Sequence, residues 1–184
     1  MITDARAMRA LAHPLRVALL EVMRRDGEIT ATRAAELLDE SPGNMSWHLQ
    51  TLAKYGFLEE TGEGHGRSRP WRIANPSRQS FETGLADPEV AAAGEALERT
   101  FADRAYGQLR EWWSRRLTYP AKWRRAAFMS NSVLYLTAAE LTALMEETNA
   151  IYARYKDREK RPAGALPVRL YAHGHPVAPT PSGN

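Results

Sequence analysis

The chain has 184 residues, of which 25 are Lys or Arg, 22 are Asp or Glu and none is cysteine. This length suits one medium domain or two small ones, and the lack of cysteine excludes disulfides, thiolate metal sites and cysteine nucleophiles. The formal net charge of +3 is no nucleic-acid signature, because residues 1–75 hold equal numbers of basic and acidic residues. Any argument for DNA binding therefore depends on where the charges lie.

Neither a membrane span nor a secretory signal is evident in the sequence. No uninterrupted apolar run approaches the ~18 residues that a transmembrane helix needs. The N-terminus mixes charged and apolar residues from the start, unlike the apolar centre of a signal peptide. We therefore expect a cytoplasmic protein, which also suits the absence of cysteine.

Three short helices are predicted before residue 40. Residues 3–12 form the first, and His13-Pro14 ends it because a residue that precedes proline avoids the helical region. A second, strongly apolar helix begins at Pro14 and is closed by Gly27. Residues 28–30 are short enough for an edge strand, and a third helix follows over residues 31–38.

Residues 41–56, SPGNMSWHLQTLAKYG, predict one helix with both ends marked. Ser41 can cap it, Pro42 suits its first position, and Gly56 can take the left-handed conformation that ends it. Its apolar face consists of Met45, Leu49 and Leu52. The opposite face is polar and the whole segment lacks acidic residues, as a helix that enters the major groove of DNA requires. Together with the third helix it predicts a helix-turn-helix.

A basic hairpin is predicted directly after this helix. Residues 57–61 and 71–73 read as two strands, joined by a glycine-rich tip that can approach a partner closely. Arg67, Arg69 and Arg72 cluster at this hairpin, with Glu63 as the only acid at the tip. The arrangement predicts a wing that contacts phosphate or the minor groove while the preceding helix reads bases.

The segments LAHPLRVALLEVM, AAELL and SPGNMSWHLQTLAKYGFLEE resemble the winged helix-turn-helix regulators of the ArsR type. The resemblance covers about residues 5–75 and includes the HPLR entry to the second helix. It implies a transcriptional regulator that binds a palindromic operator as a homodimer, and many relatives are repressors that release DNA when an effector binds. The DNA-binding residues that it implies are Pro42, Gly43, Asn44, Ser46, Trp47 and Gln50, and the polar helix face and the hairpin add Lys54, Arg67 and Arg69.

Some of these positions leave alternatives open. Gly43 and Trp47 stand where many relatives carry small hydroxyl or amide residues, and often Arg. Trp47 could contact DNA or pack inside the protein, and Asn44, Ser46 and Gln50 could be solvated surface residues. His48 is expected to be a semi-buried histidine with satisfied hydrogen bonds rather than a ligand.

A metal-sensing branch of this family is disfavoured. Its cysteine site is impossible in this chain, and the candidate long helix over residues 88–117 contains no histidine. His173 and His175 in the Pro/Gly-rich end would form an incomplete site. We predict no metal and no cofactor.

A long helix is predicted over residues 88–117, after a linker over residues 76–87 that contains Pro, Ser and Gly. A helix of this length spans on the order of 45 Å, which is more than a small wing domain needs for its own core. Pairing with a second subunit would place two reading helices roughly 34 Å apart, one turn of DNA. The alternative is that the helix packs on its own chain.

The remainder predicts a small strand–helix–strand module. Residues 88–174 are therefore expected to form a dimerisation domain, with sensing as a candidate second role, before a disordered tail over residues 175–184. The strands are expected over residues 126–136 and 167–173, and the helix opens at a capping box, Thr137 to Glu140. The buried face of this helix is expected to consist of Leu141, Leu144, Met145, Thr148, Ile151, Tyr152 and Tyr155. Six aromatic residues either line an apolar effector pocket or form core and dimer interface: Trp112, Trp113, Trp123, Phe128, Tyr135 and Tyr152.

The predicted fold class is mainly α with a small β part. The sequence has no nucleotide-binding loop, HExxH or nucleophile elbow, so we do not expect an enzyme. We expect a sequence-specific regulator of transcription that binds double-stranded DNA as a homodimer, with a non-metal small molecule as a candidate effector. The alternative is a small-molecule-binding protein or protein-interaction scaffold whose winged helix no longer binds DNA.

Overall fold

The computed structural model describes residues 4–62, 69–75, 87–156 and 161–178. Within these ranges the chain forms seven α-helices, a short 3₁₀ helix and a two-stranded sheet, which confirms the prediction of a mainly helical chain with a small β part. It divides into two compact units, Met1–Arg116 and Leu117–Asn184, which we call the N-terminal unit and the C-terminal unit.

The four predicted N-terminal helices are present as α1 (Ala5–Leu11), α2 (Pro14–Asp26), α3 (Ala31–Leu38) and α4 (Pro42–Lys54). Their first turns are capped by side chains that satisfy free backbone N–H groups. Asp4 Oδ1 accepts from the Arg6 amide at 2.9 Å, and Thr30 Oγ1 accepts from the Arg33 amide at 3.1 Å. His13, expected only as part of the break, also caps α2, because its Nδ1 accepts from the Leu15 amide at 3.2 Å.

The turn between α3 and α4 depends on one left-handed residue. Asp39 has a φ of +54°, and it is the only residue other than glycine with a positive φ in the part of the chain that the structure describes. Asp tolerates this region because its short polar side chain can bond locally. The Glu40 amide donates to the Ala35 carbonyl at 3.0 Å, which closes the last turn of α3 and redirects the chain into α4.

The hairpin consists of β1 (Leu58–Glu60) and β2 (Trp71–Ile73), paired antiparallel with Leu58 opposite Ile73. The expected edge strand over residues 28–30 is reduced to a single bridge between Ile29 and Trp71. Its two backbone hydrogen bonds, of 3.0 Å and 2.8 Å, attach the hairpin to the segment between α2 and α3. The tip residues 63–68, and with them Arg67, lie outside the described residues.

The core of the N-terminal unit is formed by all five of its described α-helices, α1 through α5, and by both strands. Its fully buried large side chains are Met8, Val17, Leu19, Leu20, Met45, Leu49, Leu52 and Leu97. A single connected cluster of this kind fixes the orientation of α4 relative to the rest of the unit, because interior side chains pack at crystal-like density.

The long helix is α5 (Pro88–Arg115), continued by the 3₁₀ helix Arg116–Thr118, as predicted. Asp87 Oδ1 caps α5 by accepting from the Glu89 amide at 2.8 Å. Its first part packs on its own chain through Val90, Ala93 and Leu97, and further along Arg104 Nε donates to Glu21 Oε2 at 2.7 Å. Gln108 Nε2 donates to the same Glu21 oxygen at 2.8 Å, so the own-chain alternative holds as far as Gln108, whereas the following aromatic end is more exposed. The predicted linker lies outside the described residues except for Asp87.

The C-terminal unit contains α6 (Ala121–Ala126), which was not predicted, and α7 (Ala138–Lys156). The predicted capping box at the start of α7 is confirmed. Thr137 Oγ1 accepts from the Glu140 amide at 3.2 Å, and Glu140 Oε2 accepts from the Thr137 amide at 2.7 Å. The Thr137 amide, and the Thr137 hydroxyl that donates to Glu140 Oε2 at 2.8 Å, lower the pKa of the Glu140 carboxyl because they favour its charged form.

The predicted strands over residues 126–136 and 167–173 are wrong, because α6 ends at Ala126 and the described residues after it up to α7, and from 161 to 178, contain no strand. A strand needs a neighbouring strand that completes its backbone hydrogen bonds, and the described residues of this unit provide no such partner. Neighbouring side chains such as Phe128 and Met129 are both exposed, so no face of the segment is covered. The tail residues 179–184 lie outside the described residues.

Candidate nucleic-acid interface

Helix α4 begins and ends where its sequence signals it. Ser41 Oγ accepts from the Asn44 amide at 3.1 Å, and Pro42 occupies the first turn. At the other end Gly56 has a φ of +73°. Its amide donates to the Ala53 carbonyl at 2.9 Å, and the Phe57 amide donates to the Leu52 carbonyl at 3.0 Å. This pair of bonds is a Schellman motif, which ends the helix and turns the chain into β1.

The inward face of α4 is anchored as predicted. Met45, Leu49 and Leu52 are completely buried in the core of the N-terminal unit. Burial of a Leu or Met side chain contributes roughly 1.5–3 kcal/mol, so these three residues hold α4 rigidly against α1, α2 and α3. The opposite side of the helix is consequently fixed toward solvent.

The outward face of α4 presents four of the predicted DNA-binding residues in one row. Gly43, Trp47, Gln50 and Lys54 are exposed and follow each other at helical spacing. Pro42 is exposed at the helix start, and Asn44 and Ser46 are half-buried at the sides of the row. A Cβ atom at Gly43 would meet no other atom within 4 Å, so the protein's own packing does not require glycine there.

Asn44 has an acidic neighbour that the sequence analysis missed. Its Nδ2 donates to Glu40 Oε2 at 2.9 Å, across the capped first turn of the helix. Glu40 lies one residue before the acid-free segment, and its position four residues before Asn44 is the signal that could have revealed the pair. A base contact by Asn44 requires this amide to leave or share Glu40.

Trp47 combines the two alternatives that its sequence context left open. One side of its indole packs inward, with the ring of His48 edge-on at 4.7 Å and the guanidinium carbon of Arg16 at 5.6 Å from the ring centre. The side chain nevertheless remains 55 % exposed. Trp47 is therefore held in position by the protein and presents its outer part to any ligand of the row.

The described arginines of the hairpin are paired with glutamates. Arg69 Nη1 lies 3.0 Å from Glu60 Oε2, and Arg72 Nε lies 2.7 Å from Glu59 Oε1. The strands are thus charge-balanced, which the arginine cluster alone did not indicate. Exposed ion pairs are worth about 0–1 kcal/mol, so a phosphate group can take over either arginine at little cost.

The match with a known family concerns this same part of the chain. Residues 11–61 match the family model of a helix-turn-helix domain. The matched range contains α2, α3, α4 and β1, which are the elements that build and position the exposed row. Helix-turn-helix domains read DNA with their second helix, so the match supports a DNA-binding regulator in general terms. A comparison of the chain with curated proteins found no match.

Below the second helix of this helix-turn-helix domain lies a buried histidine. His48 is only 2 % exposed, which is deeper than the expected semi-buried position, and its ring centre lies 4.8 Å from that of His13. The expectation that its hydrogen bonds are satisfied is wrong for Nδ1. Among the described residues its Nδ1 has no hydrogen-bond partner. Burial, followed by the neighbouring His13 and Arg16, lowers the pKa of His48 to about 4. The imidazole is therefore neutral at pH 7.

Arg16 is a second buried group that the sequence analysis did not single out. It lies under Trp47, and its Nε has no hydrogen-bond partner in the described part of the chain. Burial lowers the pKa of its guanidinium. Because the indole covers this cation, Trp47 contributes to the packing of the helix-turn-helix domain although its outer part is exposed.

The six aromatic residues of the predicted effector pocket are divided between the two units. Trp112 and Trp113 belong to the N-terminal unit, and the other four to the C-terminal unit. Phe128 and Tyr135 are 78 % and 101 % exposed, so neither lines a closed cavity. The effector pocket stays a prediction.

Within the described residues, no group of three or more side chains suited to metal binding comes together. None of the helices in the same ranges combines the length and the apolar character that a membrane crossing needs.

Proposed function

We propose that the protein is a sequence-specific, DNA-binding regulator of transcription, of the ArsR type and without catalytic activity. The observation that carries this proposal is the exposed row Gly43, Trp47, Gln50 and Lys54 on a capped helix whose other face is fully buried. A row of this kind offers an amide, an indole and a cation to base edges and phosphates, and it carries no carboxylate.

The hairpin supplies the second contact in this proposal. Arg69 lies just before β2 and Arg72 lies on it, and both are exposed. Their ion pairs with Glu60 and Glu59 are weak enough to be exchanged for phosphate. Phosphate contacts fix the orientation of the protein on the duplex, while the row on α4 reads sequence. Arg67 remains a predicted contact at the hairpin tip.

The finer parts of the proposal are a homodimer, a palindromic operator and repression by occupancy of that operator. The homodimer is supported by the exposed aromatic end of α5, which includes Trp113, since monomers rarely expose such patches without function. A non-metal effector that alters the dimer would change the spacing of the two α4 helices. A cytoplasmic location belongs to the same proposal.

Replacing Gln50 with alanine tests base reading. The operator is first selected from genomic fragments that the wild-type protein retains, and affinity is then measured by band shift at fixed salt. We expect Q50A to weaken binding to the selected site by about 5- to 150-fold, because one base contact is worth roughly 1–3 kcal/mol. Non-specific binding should change little, since it depends on phosphates. Equal loss on specific and random DNA would contradict base reading by Gln50.

Replacing Arg69 with alanine tests the phosphate contact. The plot of log affinity against log salt should become less steep by about 1 when one phosphate contact is removed. Arg99 is the matched control, because it is also exposed and paired with a glutamate, but lies in the middle of α5. R99A should leave the slope unchanged. If R69A and R99A have the same slope as the wild type, the hairpin strand does not contact phosphate.

The alternative function, a scaffold whose winged helix no longer binds DNA, makes a different prediction. Such a protein would retain no genomic fragment even at low salt, where electrostatic binding is strongest. Retention that depends on Gln50 separates the two functions directly.

A further inference from the structure

The exposed apolar residues of the protein are concentrated in the C-terminal unit. In the described part of the chain, three of the large hydrophobic residues classed as exposed belong to the N-terminal unit, namely Trp47, Tyr106 and Trp113, and all others belong to the C-terminal unit. No described residue of the C-terminal unit is buried. A folded monomer rarely leaves so much apolar surface in water.

Helix α7 carries the most regular part of this surface. The stripe, as we call its apolar positions together with Thr148 at their centre, was predicted to be buried, and this prediction is wrong. Its members are Leu141, Leu144, Met145, Thr148, Ile151, Tyr152 and Tyr155. Leu144, Met145, Ile151 and Tyr155 are 42 %, 56 %, 46 % and 64 % exposed. The sequence correctly identified the amphipathic pattern, but the described residues of this unit cover the stripe only in part, with Gly174 against the half-buried Leu141.

The stripe is complementary to itself when two copies run antiparallel. If Thr148 lies on a two-fold axis, Leu141 comes opposite Tyr155, Leu144 opposite Tyr152, and Met145 opposite Ile151. Every apolar position thus meets an apolar position, and the small Thr148 meets itself at the centre, where the two backbones come closest. An interface of this kind, in which residue i contacts j and j contacts i, is what two-fold symmetry requires.

The charges of α7 favour the same arrangement. Glu140, Glu146 and Glu147 lie in its first half, whereas Arg154 and Lys156 lie in its last turn. Antiparallel pairing brings Glu140 opposite Lys156 at both ends of the contact, while parallel pairing would place like charges side by side. Charge pattern and apolar spacing therefore select the same partner and the same direction.

The area of the surface is consistent with a dimer contact. With about 150–250 Å² for a large side chain, the four most exposed residues of the stripe offer on the order of 400 Å². A stable interface buries roughly 800 Å² on each partner, so α7 would contribute about half. The exposed segments beside it, with Phe128 and Val168 among their apolar residues, are available for the rest.

We propose that α7 forms an antiparallel contact with α7 of a second copy of this chain, with Thr148 at the two-fold axis. This inference rests on the homodimer of the proposed function and specifies a contact that the long helix α5 does not provide. The C-terminal unit is then a dimerisation element, and its stripe is fully covered only when two copies of the chain pair.

Engineered cysteines in the full-length protein test the contact, because the natural chain has none. Two T148C side chains on a two-fold axis are expected to form a disulfide under mild oxidation, since bridged Cα atoms lie about 4.4–6.8 Å apart. A150C is the matched control, because residue 150 is exposed on the opposite face of α7. We expect T148C to give a covalent dimer on a non-reducing gel and A150C to remain largely a monomer there.

A charge placed in the stripe provides a second measurement. I151E should raise the dimer dissociation constant at least about tenfold, because pairing would bury an unpaired carboxylate. A150E adds the same charge on the opposite face and should leave the constant unchanged. Both positions are exposed in the single chain, so neither variant costs folding of the monomer. Sedimentation equilibrium gives the constants.

The outcomes distinguish this inference from the proposed function. Equal cross-linking of T148C and A150C, or an I151E dimer as tight as the wild type, overturns the α7 contact even where the protein is a dimer and binds DNA. A wild-type chain that stays monomeric at all concentrations overturns the contact and the homodimer together, and then points to an apolar ligand or another protein as the cover. Retention of DNA, measured separately, tests whether α4 binds DNA.

Discussion

Replacing Leu49 with alanine is expected to lower the free energy of unfolding by about 3 kcal/mol. Removal of a buried leucine side chain loses its transfer free energy and leaves a cavity, and measured losses for such changes are about 2–5 kcal/mol. Leu49 is completely buried between α4 and the rest of the core, together with Met45 and Leu52. Stability of this size is a large part of the roughly 5–15 kcal/mol of a typical domain.

The neighbouring Gln50 is the control for this prediction. It is exposed on the outer row of α4, so Q50A should change the free energy of unfolding by less than about 0.5 kcal/mol. Urea denaturation followed by circular dichroism gives both values. The pair separates two routes to lost DNA binding, since L49A acts through folding and Q50A through a contact. An L49A protein as stable as the wild type would show that α4 is not anchored by this face.

Acidification from pH 7 to pH 4 is expected to lower stability by about 3 kcal/mol through His48 alone. Burial and the nearby His13 and Arg16 hold the pKa of folded His48 at about 4, against about 6.5 in the unfolded chain. Between these two values the unfolded state binds a proton that the folded state does not. The contribution of His48 to the free energy of unfolding is therefore fully present above about pH 6.5. It falls by about 1.36 kcal/mol per pH unit as the pH decreases toward 4.

The variant H48F isolates this contribution. Phenylalanine fills a similar volume without titrating, so the difference in unfolding free energy between H48F and the wild type should grow as the pH falls from about 6.5 to 4. H175F is the control, because His175 is exposed in the C-terminal unit, and it should follow the wild type at every pH. Urea denaturation across this pH series gives the measurement. A constant difference between H48F and the wild type would show that folded His48 titrates normally.

These two predictions concern neighbouring buried residues of the same helix, α4. Leu49 and His48 both point inward from α4, one into an apolar core and one toward Arg16 and His13. If the proposed DNA binding is correct, a loss of either support weakens binding through the position of the outer row. Binding assays on these variants therefore need to be performed above pH 6.5, where His48 contributes no instability.

The ends of the helices could be read directly from the sequence. Ser41, Pro42 and Gly56 limit α4, and Thr137 with Glu140 opens α7, as the structure confirms. These signals are local, because a cap satisfies backbone groups within a few residues of itself. The apolar side of α4 was equally readable, since helical spacing alone places Met45, Leu49 and Leu52 on one face.

Contacts between distant or unexpected partners could not be read in this way. The glutamates on β1 that pair with Arg69 and Arg72 depend on the register of the hairpin, and the packing of Arg16 under Trp47 depends on how α2 meets α4. The strands expected around α7 were wrong for the same reason, because strand propensity does not supply a pairing partner.

The sequence by itself determined the helices, their caps, the helix-turn-helix and the polar face of α4, because each follows from periodicity and local hydrogen bonding. Only the tertiary structure decided that α5 packs on its own chain as far as Gln108, that His48 is buried beside Trp47, and that most of the stripe on α7 is exposed. The physical reason is that burial depends on what another segment brings to a face, whereas an amphipathic pattern shows only that the face is apolar.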